Sequence, residues 1–169
     1  MKKLLISTLF FGLCSVQAYA DYIPQQKSVS AQAAQYSTMG IQDLIRAAKS
    51  GQAGAQFYLA TRYQAGKDIQ KDVKEAFTWF KAAADQGISS AQLNVGRMYA
   101  DGIGVSKSET SARQYFEKAA SHGDNRASFN LAVMEEQKKN YMGAYQWYEL
   151  STRAGMLDNK VMNMSETKK

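Results

Sequence analysis

The chain repeats itself with a period of 36 residues, and this periodicity leaves few architectures open to it. Within the segments 55–66 and 91–102, the residues Ala, Gln, Tyr and Gly recur at the same places. A third copy begins at Ala127 and is four residues shorter, since Gly155 follows Gly123 by 32 residues. A degraded half-copy precedes them at 41–51. Repeats of this length are typical of solenoids, in which each unit buries its apolar face only against its neighbours.

The first part of each copy predicts a helix, here called helix A. In the first copy, Ala55, Leu59 and Tyr63 recur every four residues and mark one helical face. Gly66 is expected to end this helix, because glycine readily takes the left-handed conformation that closes a C-terminus. The four-residue deletion of the third copy is expected in the turn that follows helix A.

A second helix, helix B, follows in each copy. Asp72 and Glu75 have the composition of a capping box, which predicts that helix B of the first copy starts at Val73. Alanines along this helix would let neighbouring helices approach closely. The large aromatic residues of helix B are expected in the core: Trp79, Phe80, Trp147 and Tyr148.

These residues resemble the pattern of the Sel-one-like repeat (SLR) family, a branch of the tetratricopeptide-like superfamily. The second copy carries the resemblance with Ala91, Gly96, Tyr99, the turn Gly102-Ile103-Gly104-Val105, Ala112, Tyr115-Phe116, Lys118-Ala119-Ala120 and Gly123. The other copies depart from the pattern at Ala60 and Asp68, and at Glu135, which replaces the tyrosine. The resemblance covers residues 52–155.

The resemblance implies an all-α fold, a right-handed α-solenoid of helical hairpins with about three SLR repeats and a degraded N-terminal half-repeat. It also implies a binding scaffold whose inner, concave face holds a protein or peptide partner. Physical reasoning points the same way, because stacked repeats offer an extended concave surface with few catalytic clefts. We therefore expect a non-enzymatic protein.

The first 20 residues read as an export signal. Lys2 and Lys3 form a basic start, residues 4–13 are apolar, and Ala18-Tyr19-Ala20 is a small-x-small site that predicts cleavage after Ala20. No later stretch approaches the roughly 20 apolar residues that a membrane helix needs. We therefore expect a periplasmic protein with no transmembrane segment. The only cysteine, Cys14, would leave with the signal, so no disulfide is expected.

These patterns divide the chain into four regions: a signal peptide at 1–20, a flexible lead at 21–40, the SLR solenoid at 41–155, and a C-terminal cap with a disordered tail at 156–169. Leu157, Val161 and Met164 are spaced by four and three residues, which suits a short helix that covers the last repeat. Hydrophobic residues make up 45% and charged residues 21% of the chain, a composition that excludes disorder throughout.

Candidate chemistry is sparse. His122 is the only histidine, and it is expected at an exposed helix end. No Ser/His/Asp triad, phosphate-binding loop or calcium loop is evident, so neither cofactor nor metal is expected. The adjacent Glu135 and Glu136 do not face each other on a helix and are expected on a solvated surface. Short basic runs do not indicate nucleic acid binding in an exported protein.

Partner contacts are expected on helix A, at positions turned away from the Ala55/Leu59/Tyr63 seam. These positions are Phe57, Thr61 and Gln64 in the first copy, Leu93, Arg97 and Ala100 in the second, and Phe129, Val133 and Glu136 in the third. Phe57, Leu93 and Phe129 align as an apolar ladder, for which packing between neighbouring helices is expected. Arg97 and Glu136 are the better contact candidates, because charged residues are rarely buried without a partner.

The functional hypothesis is an adaptor that recruits or positions components of an envelope machine, such as a secretion apparatus or cell-wall complex. One alternative is a periplasmic immunity protein that binds and neutralises a toxic effector. A lesser alternative is a cell-wall glycan-binding accessory or an enzyme. The sequence leaves the partner and the oligomeric state open.

Overall fold

The computed structural model describes residues 34–152, and it contains helices and turns but no strand within that range. The chain divides into two units at Gly40 and Ile41. In the described part of the first unit, residues 34–38 are helical, so the predicted flexible lead of residues 21–40 includes helical structure. The predicted signal peptide and C-terminal cap lie outside the described residues, as do 21–33 and 153–155.

The described part of the second unit consists of seven helices. They are α1 (Ile41–Lys49), α2 (Ala53–Ala65), α3 (Val73–Asp85), α4 (Ser89–Asp101), α5 (Glu109–Ser121), α6 (Asn125–Gln137) and α7 (Tyr141–Thr152). The extensive contacts all join helices that are consecutive in the chain. The pairs α2/α3, α4/α5 and α6/α7 are the three predicted hairpins, and α1 is helix B of the N-terminal half-repeat. The prediction of an all-α solenoid is confirmed.

Small residues and two phenylalanines form the core. Ala55 and Leu59 of α2 are buried as the predicted seam requires, and Tyr63 is half-buried. Phe80 and Phe116 occupy equivalent positions in α3 and α5 and are both nearly inaccessible. Alanines beside these rings let the helix backbones approach, so that each phenylalanine fills the space between consecutive hairpins.

The other aromatic residues of helix B correct the sequence-based expectation of full burial. Trp79, Trp147 and Tyr148 are half-buried. The indole of Trp79 donates a hydrogen bond from Nε1 to the carboxylate of Glu75 at 3.2 Å. Burying a polar ring group requires such a partner, so these rings lie at the edge of the core with their polar atoms near the surface.

The predicted helix ends are confirmed. Gly66 and its counterpart Gly102 close α2 and α4 in the left-handed conformation, with φ of 70° and 72°. Asp72 caps α3 and accepts hydrogen bonds from the backbone N–H groups of Lys74 at 2.9 Å and Glu75 at 3.1 Å. Glu75 does not complete a capping box, because the Asp72 amide already donates to the carbonyl of Tyr63.

One backbone hydrogen bond closes the turn in all three hairpins. In each hairpin, the residue immediately before helix B donates its N–H to a backbone carbonyl near the end of helix A. The bonds run from Asp72 to Tyr63 at 3.1 Å, from Ser108 to Tyr99 at 2.9 Å, and from Asn140 to Glu135 at 2.9 Å. The first two turns span seven residues and the third spans three. The deletion therefore lies in the turn, as predicted, and the shorter turn keeps the closing bond.

The first two turns differ at one position, where Gly104 of the second turn corresponds to Asp68 of the first. A Cβ at Gly104 would lie 2.2 Å from the carbonyl oxygen of Val73, so this turn packs on the preceding repeat too closely for any side chain. Asp68, the equivalent residue in the first turn, also has a positive φ, of 61°. Its carboxylate instead accepts a hydrogen bond from Arg62, which stabilises the residue in this conformation.

We predict that the Asp72 cap contributes to stability through its acceptor oxygen rather than its charge. Asp72→Ala removes the acceptor and should lower the free energy of unfolding by about 1 kcal/mol, whereas Asp72→Asn keeps it and should lose less. Urea denaturation followed by circular dichroism measures both, with Lys71→Ala as the neighbouring exposed control. Equal losses for the alanine and asparagine variants would contradict the assignment.

Candidate functional site

The nine predicted contact residues differ widely in accessibility. Thr61, Gln64, Arg97 and Glu136 are exposed, and Ala100 and Val133 are half-buried. The apolar ladder is uneven: Leu93 is buried, Phe57 is half-buried with its ring 5.6 Å from that of Phe80, and Phe129 is 38% exposed. The expectation that the ladder packs between helices therefore holds best at Leu93, while Phe129 retains accessible surface.

Three of the nine residues line one cavity between the second and third repeats, here called the α4–α6 cavity. Arg97 and Ala100 reach it from α4 and Val133 from α6. The remaining lining residues are Asp101, Lys107, Glu109, Phe116, Asn130, Met134 and Gln137. The cavity volume is about 390 Å³, within the range of about 300–1,000 Å³ that is usual for ligand pockets.

The α4–α6 cavity has an apolar floor and a polar rim. Phe116 and Met134 form the floor and are almost completely buried. The rim carries basic, acidic and amide groups. In the described part of the chain, the guanidinium of Arg97 has neither a hydrogen-bond nor an ion-pair partner. An apolar floor beside an available cation can receive an apolar side chain together with a carboxylate or carbonyl oxygen.

The floor depends on a close approach at Gly96. A Cβ at this position would lie 2.6 Å from two ring carbons of Phe116, so only glycine lets the ring come this near to α4. The equivalent residues in the other repeats are Ala60 and Ala132. The second repeat alone therefore carries the residue that permits this approach, and Phe116 is both a core residue and part of the cavity surface.

An ion pair at the junction between the second and third repeats was missed by sequence reasoning. Glu135 is buried, contrary to the expectation of a solvated surface, and its carboxylate is bonded to Arg113 of α5. Asn140 also donates to this carboxylate, at 2.6 Å. Hydrogen bonds from Asn140 and Arg113 hold the pKa of Glu135 below its ordinary value. A second ion pair, between Lys138 Nζ and Glu109 at 2.6 Å, links α5 to the turn between α6 and α7.

The junction between the first and second repeats holds aromatic rings at the equivalent positions. Phe77 and Tyr99, each 36 residues before Arg113 and Glu135, pack edge to face with ring centroids 5.3 Å apart. Both members of the pair change together between the two junctions, from aromatic rings to opposite charges. The signal was present in the sequence, since Arg113 replaces Phe77 at the same offset at which Glu135 replaces Tyr99.

Glutamine and histidine side chains form a second repeating contact between helices. Gln86 donates to the amide oxygen of Gln56 at 2.7 Å, and one repeat later the Nδ1 atom of His122 lies 3.0 Å from the amide oxygen of Gln92. His122 is the exposed C-cap of α5, as the sequence predicted. Its contact with Gln92 is structural, because it repeats the contact that Gln86 makes.

Glu136 also has an intramolecular contact. Its carboxylate accepts a hydrogen bond from the hydroxyl of Tyr148 at 2.9 Å. Burial and this hydrogen bond raise the pKa of Tyr148. Glu136 does not line the α4–α6 cavity, and neither do Phe57, Thr61, Gln64, Leu93 and Phe129. Arg97 is therefore the predicted charged residue whose position best suits contact with a ligand in this cavity.

Metal and membrane features are limited within the region that the structure covers. Residues 34–152 contain no group of three or more His, Cys, Asp or Glu side chains placed to hold a metal ion. Among the helices of this region, none is both long and apolar enough to cross a bilayer.

Consecutive helical hairpins with a recurring turn, capping residue and alanine seam define the class of α-helical repeat scaffolds. The Sel1 repeat profile matches residues 53–88, 89–124 and 126–156, which make up more than half of the chain. The chain belongs to the Sel1 repeat family. Repeats of this family generally mediate protein–protein interaction, and the fold is typically a non-enzymatic scaffold.

The solved structures that are similar to this chain include two of the same fold. A Sel1 repeat protein from Oxalobacter formigenes shares 33% identity with a TM-score of 0.65, over 70% of this chain and 49% of that one. A protective antigen of uropathogenic Escherichia coli strains that displays an SLR fold shares 25% identity with a TM-score of 0.69, over 79% of this chain and 33% of that one. This chain thus spans about half and about a third of their lengths. No curated protein is significantly similar in sequence.

We predict that the Arg113–Glu135 ion pair can be replaced by an aromatic pair like Phe77–Tyr99 only if both residues are changed together. Arg113→Phe leaves the buried Glu135 without its cation, and Glu135→Tyr leaves Arg113 with only its 3.6 Å pairing to Glu117, so each should cost about 1–3 kcal/mol of unfolding free energy. The double variant recreates the Phe77–Tyr99 arrangement and should recover most of that loss. A double-mutant cycle by urea denaturation tests this. Additive losses in the double variant would contradict the pairing.

The lowered pKa of Glu135 predicts a stability contribution that depends on pH. Because the folded pKa lies below the ordinary pKa of a glutamate, the contribution is complete above that ordinary pKa and is lost as pH falls through the folded pKa. Urea midpoints measured between about pH 6 and pH 3 should fall less steeply for Glu135→Gln than for wild type. Glu149→Gln, an exposed change on α7, is the control. Identical slopes for Glu135→Gln and wild type would refute the prediction.

Proposed function

We propose that this protein is an exported, non-enzymatic adaptor that binds a partner protein in the bacterial periplasm and positions it in an envelope machine, such as a secretion apparatus. The observation that carries the proposal is the α4–α6 cavity, in which an apolar floor lies beside the guanidinium of Arg97, a group with no hydrogen-bond or ion-pair partner among residues 34–152. Membership of a family whose repeats generally mediate protein–protein interaction supports a protein ligand.

The mode of binding proposed here follows from the shape and chemistry of the cavity. A volume of about 390 Å³ suits one or two side chains of a partner segment rather than a whole folded surface. An apolar side chain would displace water from the half-buried Ala100 and Val133 beside the floor, and a nearby carboxylate or carbonyl oxygen would accept hydrogen bonds from Arg97. Asn130 and Gln137 on the rim can bond to the backbone of the same segment.

Periplasmic location is a further part of the proposal, and it rests on the N-terminal sequence. The basic Lys2-Lys3 start, the apolar stretch of residues 4–13 and the Ala18-Tyr19-Ala20 site have the order of a signal peptide. N-terminal sequencing of protein recovered from the periplasmic fraction should begin at Asp21. Recovery of the full-length chain in the cytoplasm would refute the location and leave the proposed cavity binding unchanged.

We predict that partner capture depends on the α4–α6 cavity. The tagged full chain should enrich envelope-machine components from a periplasmic extract, as measured by quantitative mass spectrometry. Arg97→Glu/Val133→Asp should reduce that enrichment by about tenfold or more, because one change reverses the rim charge and the other places a carboxylate against the apolar wall. Lys67→Glu/Thr78→Asp makes the same net charge change at exposed residues outside the cavity and should leave capture intact.

The other outcomes of this experiment are distinct. Capture of one toxic effector at equal stoichiometry would replace the adaptor proposal with the immunity hypothesis. Equal capture by the cavity variant and wild type would move the binding surface elsewhere. If the wild type captures no protein but retains cell-wall polysaccharide, the glycan-binding alternative would stand instead. Circular dichroism of each variant confirms that a loss of capture does not reflect a loss of folding.

A further inference from the structure

The last described helix, α7, exposes an unusual amount of apolar surface. Four of the six exposed large hydrophobic residues in the described region lie on it: Tyr141, Met142, Tyr145 and Leu150. Tyr141, Met142 and Tyr145 fall within about 100° of one another around the helix, so they form a continuous surface, here called the α7 face. An apolar surface of this kind on a helix of a repeat array favours a covering element.

The position of Tyr145 shows which kind of element fits the α7 face. Tyr145 aligns with Phe77 of α3 and Arg113 of α5. Each of these residues contacts helix A of the following repeat: Phe77 meets Tyr99, and Arg113 meets Glu135. The α7 face therefore corresponds to the side of α3 and α5 that packs against helix A of the next repeat. On α7 this side is accessible, since Tyr145 is 61% exposed.

We propose that the C-terminal segment of this chain, residues 153–169, supplies that helix and docks on the α7 face as half of a fourth repeat. Its residues Leu157, Val161 and Met164 are spaced by four and three. The same spacing joins the buried residues Ala91, Val95 and Met98 of α4, and the buried residues Ala127, Leu131 and Met134 of α6. The segment thus repeats the apolar pattern by which both preceding helices A enter the core.

Two registers are open to the docked segment, and the apolar spacing selects between them. With Leu157 at the position of Ala91, Ser165 takes the position of Tyr99 and therefore lies opposite Tyr145. The alternative register counts from Gly155 as the equivalent of Gly123 and places Asn159 and Asn163 at the buried positions. Burying two amides without partners is unfavourable. The observed apolar spacing therefore favours the first register.

The length of chain after Thr152 is sufficient for this arrangement. Turns from helix B to helix A span three residues in the described repeats, as at Gln86–Ile88 and His122–Asp124. The sequence continues for 17 residues after Thr152, the last described residue. The helices A of the second and third repeats have 13 residues each, so a helix of that length that starts at Gly155 ends at residue 167.

Thiol crosslinking tests the proposal and its register together. In the full chain with Cys14→Ser, the variant Tyr145→Cys/Ser165→Cys should give an intramolecular product with a short bismaleimide. The control Gln146→Cys/Ser165→Cys places the first thiol one residue away, on a different side of α7, and should give much less product. A product linking two chains would overturn the proposal in favour of a second copy on the α7 face. No product from either variant would also overturn it.

Paired charge substitutions provide a second, independent test. Leu157→Asp/Val161→Asp should increase amide hydrogen exchange in α7 by about tenfold or more, because the segment no longer covers the α7 face. Asn159→Asp/Asn163→Asp adds the same charge to the same segment and should leave exchange near the wild-type rate. The two pairs exchange roles in the alternative register, so the reverse result would refute the proposed one. Unchanged exchange in both variants would refute docking.

Discussion

The fold depends on the contact between the phenylalanine rings of α3 and α5 and the small residues of neighbouring helices. Phe80 and Phe116 are buried among alanines, and each alanine shortens the distance between backbones. Because the extensive contacts join only consecutive helices, no distant element can compensate for a poor fit at one junction. The α4–α6 cavity follows from one of these contacts, because the Phe116 ring that packs on Gly96 also lines the cavity.

The junctions are alike in geometry but differ in chemistry. An aromatic pair, Phe77 with Tyr99, joins the first hairpin to the second, and an ion pair, Arg113 with Glu135, joins the second to the third. Removing one member of a buried or half-buried ion pair leaves the other charge without hydration or a partner. A helix that carries one charged member therefore packs better against the opposite charge than against an aromatic ring. The exchange therefore makes the contact at each junction specific for its own pair of helices. Without it, the repeats of this chain would pack interchangeably.

The sequence predicts the repeating elements well because they depend on local chemistry. Gly66 ends α2 and Asp72 caps α3, as expected from conformational freedom and hydrogen bonding within a few residues. Glu135 was assigned wrongly because its burial depends on Arg113, which lies 22 residues earlier on another helix. Comparing the repeats column by column would have revealed this exchange.

Other features could not be reached from local patterns. The half-burial of Trp79 depends on where the hairpin edge lies in three dimensions. The α4–α6 cavity depends on how closely the ring of Phe116 approaches Gly96. Sequence reasoning chose Arg97, Ala100 and Val133 from their position on helix A, but it could not show that they surround a common space.

A close contact inside the second repeat, between Gly96 and Phe116, shapes the cavity that we propose binds a protein partner. The most direct measurement is isothermal titration of the partner's bound segment against wild type and Gly96→Ala. Alanine occurs at the equivalent position of both other repeats, so the variant should fold, but the added methyl group must displace the Phe116 ring from the cavity floor. We expect the affinity to fall by about tenfold or more, equivalent to about 1.4 kcal/mol. Equal affinity for the two proteins would contradict the claim.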